Sequence, residues 1–545
     1  LGTNTVVNGG TDKDYVGWSF RKQAGFFDVV TYTGNGSNRT ISHNLGSVPG
    51  VMIVKRTSAS EGWQVYHRDL ATDEYLELNV DSAKSNSNGT LRWNSTRPTA
   101  TELSLGTHDS VNASGSTYVA YLFAHDDQSF GDDSDEAIIK CDSYTGNGSS
   151  DGPTVTLGFE PQWLIIKRLA GGTGDWTILD NMRGIHTGST EDARLFANRN
   201  YVESNNATVV DLQATGFKIT SSGSQFNNNG DDYAYIAIRR PMKTPEAGTD
   251  VFAIDQPDSS SEPKYRASFP VDMAWFRSNI TSTQNTSISN RLTGKGTLLT
   301  NDTTVEADEN AHQWDYMNGW FADSGTETNN RSWMFKRATG FFDVVAYTGN
   351  ATSDRDINHN LGVTPELMIV KARDSAQNWV TYDSDTGATN YMRLNTSAQP
   401  ATTSGIWNNT APTASVFTVD GTGGRAEVNA NGTDYIAYLF ASVAGVSKIG
   451  VYTGTGSNID VDCGFSAGAR FILIKVNSDS GDWYYWDSNR GIVAGNDPYL
   501  LLNTTDAQVT NTDYIDPLNA GFTVTSSAPA GLNASGETYI FLAIA

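Results

Sequence analysis

The segment GFFDVVTYTGNGS beginning at Gly25 returns as GFFDVVAYTGNAT beginning at Gly340. No other feature constrains the fold as strongly. Whatever the first copy builds the second builds too, and everything between them belongs to a larger repeated block.

A shorter repeat lies inside that block. LGSVPGVMIVK ends at Lys55, LGFEPQWLIIK at Lys167 and LGVTPELMIVK at Lys371, while CGFSAGARFILIK ends at Lys475 and is two residues longer. Each is a turn followed by a continuous apolar run, the pattern of a strand buried on both faces. Eight or nine residues after each lysine stands a tryptophan: Trp63, Trp176, Trp379 and Trp483. An apolar strand ending in asparagine follows, at Asn79, Asn198, Asn395 and Asn503. Each unit closes with N-x-x-G-x-x-Y and a last strand, beginning at Asn112, Asn227, Asn429 and Asn533. Asn and Gly tolerate the positive φ of tight turns, and the alternation after them predicts a strand.

These marks define unit A (21–125), unit B (137–240), a repeat of A (336–441, A′) and a repeat of B (447–545, B′). A divergent unit C is expected over 249–335, where FPVDMAWFRS, RLTGKGTLLTN and NNRSWMF echo the same order. Residues 1–20 match a terminal turn and strand of another such unit, so they are read as the end of a truncated preceding domain. The order is then (end of C)-A-B-C-A-B. Each unit carries six to eight short strands and no amphipathic helix. The fold class predicted is all-β: a tandem array of about five β-sandwich or jelly-roll domains of roughly 100 residues each.

The balance of 61 acids against 37 Lys and Arg, a net charge of −24, repels nucleic acid and anionic membrane surfaces. No run is long enough for a membrane-spanning helix. No basic segment followed by an apolar one opens the chain, which suggests a fragment or a processed form. Cys141 and Cys463 cannot make a disulfide framework, and each aligns with an aliphatic residue of the sister unit, Ile449 and Leu157.

Candidate sites reduce to structural readings. The loop TGNGS after Tyr32 lacks the third glycine and the following helix of a dinucleotide fingerprint, and it reads as a hairpin turn. His43 and His359 are replaced by Val155 and Val461 in the B units, so the fold does not need an imidazole there. The recurring tryptophans are assigned to the core. Trp275, Tyr484 and Trp486, outside the recurring set, are the alternative aromatic ligand platforms. Lys55, Lys167, Lys371 and Lys475 are read as structural, with Asp180, Asp383 and Asp487 as candidate ion-pair partners and His67 in the first unit's place. The acidic linker His125–Ala137, with Asp126, Asp127, Asp132, Asp133, Asp135 and Glu136, lacks a Ca²⁺-loop pattern and is taken as a solvated spacer. No catalytic, cofactor-binding or metal-ligating residue is assigned, no cofactor is expected, and no ligand-binding residue is identified.

The motifs GFFDVVTYTGNG, HNLG-x-x-P-x-x-MIVK, W-N-x-T-x-P-T (at Trp93 and Trp407) and NASG-x-TYVAYLFA resemble a family of large virion proteins of marine bacteriophages, tail-fibre-like or structural. That resemblance implies a non-enzymatic part of the virion surface: a tail fibre or surface appendage contributing to host attachment. The expected partners are other virion proteins and a host-surface glycan or receptor, with no nucleic acid, in a homo-oligomer such as a trimer. Alternatives are a capsid decoration protein, a surface-polysaccharide depolymerase with paired carboxylates, and a bacterial adhesin or surface filament joined by strand addition.

Overall fold

The computed structural model describes residues 9, 14–131, 133–188, 191–241, 243–257, 262–309, 311–322, 329–421 and 425–545. Asp132 of the acidic linker, and most of the terminal turn expected over residues 8–13, lie outside them.

In unit A the repeated pattern becomes seven strands: β1 (Phe27–Thr33), β2 (Arg39–Ser42), β3 (Pro49–Arg56), β4 (Gln64–His67), β5 (Leu76–Glu77), β6 (Glu102–Leu105) and β7 (Thr117–Ala124). They form a five-stranded sheet in the order β1-β7-β3-β4-β5 and a two-stranded ribbon of β2 and β6. All pairings are antiparallel, with Val51 opposite Phe123 on one side of β3 and opposite His67 on the other. The apolar run on β3 is central in its sheet, so it has no edge to expose.

The same order recurs along the chain. Unit C pairs Phe252–Asp255, Arg331–Phe335, Met273–Arg277, Ser287–Asn290 and Gly296–Leu299 in that spatial sequence, with a sixth strand, Ala307–Asp308, at the edge. Units B, A′ and B′ repeat it, each with a small second sheet. The chain is therefore a tandem array of all-β units.

The two faces of each large sheet have different fates. In A′, Met368 and Val370 point beneath the small sheet and pack with Ile357 and Phe417. Leu367 and Ile369 point the other way, into a core shared with Met273 and Trp275 of C and with Phe471 and Leu473 of B′. The alternation of a strand thus gives A′, B′ and C each a private core and contributes half of the apolar run to a common one. Units C, A′ and B′ are each in contact with the other two around this common core. Phe335 of C packs on Phe342 and Phe440 of A′ and on Phe471 of B′, with ring centroids 5.7, 6.0 and 6.4 Å apart. Three consecutive units thus close into a ring.

Candidate functional site

The recurring lysine, tryptophan and asparagine form one device at the boundary between ring neighbours. The asparagine acts within its unit: the side-chain Oδ1 of Asn395 accepts from the backbone N–H of Trp379 (3.1 Å), and Asn503 does the same for Trp483 (2.9 Å). This fixes the indole, which then reaches the preceding unit. Trp379 Nε1 donates to the carbonyl of Leu299 (2.8 Å), Trp483 Nε1 to that of Arg393 (3.0 Å) and Trp176 Nε1 to that of Glu77 (3.0 Å).

The lysine makes the second bond four residues further along the same acceptor segment. Lys371 Nζ donates to the Thr303 carbonyl (3.1 Å), Lys475 to Ser397 (3.2 Å) and Lys167 to Asp81 (2.9 Å). In C the position is Arg277, whose guanidinium donates to the carbonyl of Thr505 in B′ (2.9 Å) and to that of Asp506. Donor and acceptor units run C to B′, A′ to C and B′ to A′, so a buried cation closes each boundary of the ring, joined by an indole bond at two of the three. The three lysines are fully buried among carbonyl oxygens. That burial pushes each ammonium down to about 8, and nearby carboxylates only partly oppose it.

The expected lysine–aspartate pairs are not formed. Asp180 pairs with Arg183 (2.7 Å), Asp487 with Arg490 (2.5 Å), and Asp383 accepts from the backbone N–H groups of Asp385 and Thr386. Burial pushes Asp383 up to about 6. The aspartates close their own turns, while the lysines take carbonyls from a neighbour. Three of the recurring tryptophans, Trp176, Trp379 and Trp483, also do more than fill a core, because their indole N–H groups bind units together. Of the alternative platforms, Trp275 and Trp486 are fully buried.

The TGNGS loop is occupied from within. The N–H of Asn35 donates to Oδ1 of the buried Asn112, whose Nδ2 donates to the Ser37 and Gly106 carbonyls, and Gly36 N–H donates to the Asn112 carbonyl. Asn227, Asn429 and Asn533 clasp the corresponding loops. Close backbone approach explains the first glycine: a Cβ at Gly34 would lie 2.3 Å from the Ala113 carbonyl oxygen. His43 and His359 are buried, and each accepts from the N–H of the leucine two residues on (3.2 Å). Both thiols are buried, with Cys141 opposite Ile236 in the sheet. Among the described residues no three His, Cys, Asp or Glu side chains converge as a metal site, and no helix is long and apolar enough to cross a membrane.

Two further features lie between ring 249–545 and the A–B pair. Glu160 and Arg240 of B meet Arg337 and Asp343 of A′ in a buried cluster, with Arg337 2.7 Å from Asp343 and within bonding distance of both Glu160 oxygens. Burial alone raises Asp343, but Arg337 and Arg240 outweigh it and hold the carboxyl below its usual range. A polar crevice of about 360 Å³ separates B from C, lined by Arg183, His186 and Glu203 on one side and Lys295, His312 and Asp315 on the other. Burial pushes both histidines down to about 4, leaving neutral imidazoles among charges of both signs.

Sequence comparison adds a family without a function. No curated protein is significantly similar to the chain. One family model matches twice, over residues 7–241 and over residues 272–545, so that each match holds one A–B pair with C-type residues ahead of it. The chain belongs to the family defined by this domain of unknown function, DUF7483.

Proposed function

We propose that the chain is a non-enzymatic structural protein of a bacteriophage virion, a tail fibre or surface appendage that contributes to host attachment. The observation that carries this reading is the closed ring of three β-units, fastened at each boundary by a buried cation on a neighbour's carbonyls and joined through a buried charge cluster to the next pair. Such a body resists bending, and its loops remain free to vary at the surface. Fibres commonly take three-fold symmetry from three chains; here residues 249–545 supply a pseudo-three-fold ring from one.

Localisation on intact particles by cryo-electron microscopy or gold-labelled antibody tests the proposal. Density in the tail or its appendages is expected. Density over the capsid lattice would replace attachment with decoration, and absence from purified particles would overturn the virion reading.

A further inference from the structure

Units A and B are clamped to each other like two neighbours of the closed ring, but among the described residues no third unit closes a ring with them. The template for one is C. Trp275 of C covers Phe471 and Tyr485 of B′ (centroids 5.6 and 6.2 Å), burying both completely. The matching residues of B, Trp163 and Ile178, are only half-buried, as are Ile53, Trp63 and Tyr121 of A, whose A′ counterparts are buried. Trp163, Ile178 and Ile53 border an apolar cavity of about 190 Å³, and Trp63 and Tyr121 line an apolar depression beside it that shares Phe20, Ile53, Leu78 and Phe123. Among the described residues neither half of the clamp reaches across a boundary there. Lys55 donates, among those residues, only to the Glu61 carbonyl of its own unit, where Lys167 and Lys475 each reach a second carbonyl across a boundary.

One strip of this gap is already filled, by the segment ending at Phe20. Trp18 Nε1 donates to Asp180 of B (3.1 Å) beneath the Arg183 guanidinium, as Trp333 of C donates to Asp487 of B′ (3.0 Å) beneath Arg490. Phe20 packs on Phe27, Phe123 and Trp163 (5.6, 5.7 and 5.7 Å), the counterparts of the three rings that A′ and B′ set around Phe335. Residues 14–20 therefore stand where the last strand of C stands, although no strand pairs with them among the described residues.

We infer that the open face of A and B is the seat of a further C-type unit, a β-unit of the kind formed by residues 249–335, continuous with residues 14–20 and supplying them with strand partners. It would complete a second three-unit ring, covering the apolar face with a tryptophan like Trp275, engaging Lys55 and Trp63 through its acceptor carbonyls, and donating to B from its own clamp cation. The inference does not rest on the virion reading, and either can fail alone.

The test joins a second copy of residues 242–315 ahead of Leu1 in the full chain. Lys55 acylation is expected to slow at least tenfold, and binding of the apolar dye anilinonaphthalene sulfonate to the cavity to disappear. The same lengthened chain with Trp275→Asp in the added copy should regain both signals. Unchanged Lys55 reactivity and dye binding in the lengthened chain would overturn the inference. So would concentration-dependent dimerisation of the unlengthened chain that protects Lys55, because the occupant would then be a second copy. Trp275→Ala in the unlengthened chain is the independent check. It should open a matching cavity in the closed ring and raise bound dye from one to about two per chain, and unchanged stoichiometry would contradict the template.

Discussion

Truncating the same recurring tryptophan in two units should have unequal consequences, because one indole has a ring neighbour and the other does not. Trp379 is fully buried and its Nε1 donates 2.8 Å to Leu299 across the C–A′ boundary. Trp379→Ala removes a packed aromatic, at about 3–5 kcal/mol, and leaves a buried carbonyl unpaired at about 1 kcal/mol or more. Trp63 is half-buried, stacked on Tyr121 at 6.3 Å under Lys55. Trp63→Ala gives up only the area it covers, about 2 kcal/mol at roughly 25 cal/mol per Å². The two should differ by at least about 2 kcal/mol, roughly 30-fold in the local opening constant. Hydrogen exchange by mass spectrometry reads this directly, over Leu367–Ala372 and Gly296–Leu299 for Trp379→Ala and over β3 for Trp63→Ala. Equal increases in exchange for the two variants, or none in Gly296–Leu299 for Trp379→Ala, would refute the clamp as the force holding neighbours together.

Other outcomes follow from the same contacts. Asn429→Ala strips the partners from the loop at Asn350 and Thr352. It should cost about 2–3 kcal/mol, measured as a lower denaturation midpoint, whereas Asn350→Ala at the exposed end should cost less than half of that. Arg337→Met leaves Glu160 and Asp343 buried without their main cation and should destabilise by about 3–5 kcal/mol, with limited proteolysis then cutting between residues 241 and 249. The clamp lysines carry folded values near 8 against an ordinary 10.5, so between these pH values the folded chain holds fewer protons than the unfolded one. Stability should therefore rise from pH 8 towards pH 10, beyond which buried tyrosines such as Tyr435, raised to about 12, reverse the trend. Thermal denaturation checks this, and Lys371→Met should flatten the rise.

The strand content and the array of units were legible because each unit repeats a full set of marks: a double-sided apolar run, a turn asparagine and a closing aromatic strand. The clasp of the TGNGS loop by Asn112 was half legible. Its asparagine recurs, but only the fold brings it to a loop about 77 residues away in sequence. The clamp was misread for a physical reason. A lysine suggests a carboxylate partner, and the sequence offers Asp180, Asp383 and Asp487 at constant spacing, whereas backbone carbonyls of a neighbouring unit leave no residue-type signal. The available hint was that Lys, Trp and Asn recur together more strictly than a private core requires. Ring closure between C and B′ was invisible, since its contacts join residues as distant as Arg277 and Thr505, 228 positions apart, and C has replaced both clamp side chains, with Arg277 for lysine and Thr286 where tryptophan would stand.

Closure of that last boundary tests the central claim most directly. Gln284 N–H donates 2.9 Å to the Thr505 carbonyl, bringing together segments that no short linker connects. A double variant, Gln284→Cys with Thr505→Cys, should form a disulfide within one chain on mild oxidation. The product should run as a compact monomer on a non-reducing gel and yield one linked peptide pair by mass spectrometry. Failure to link, or linkage only between chains, would contradict a ring of three units within a single chain.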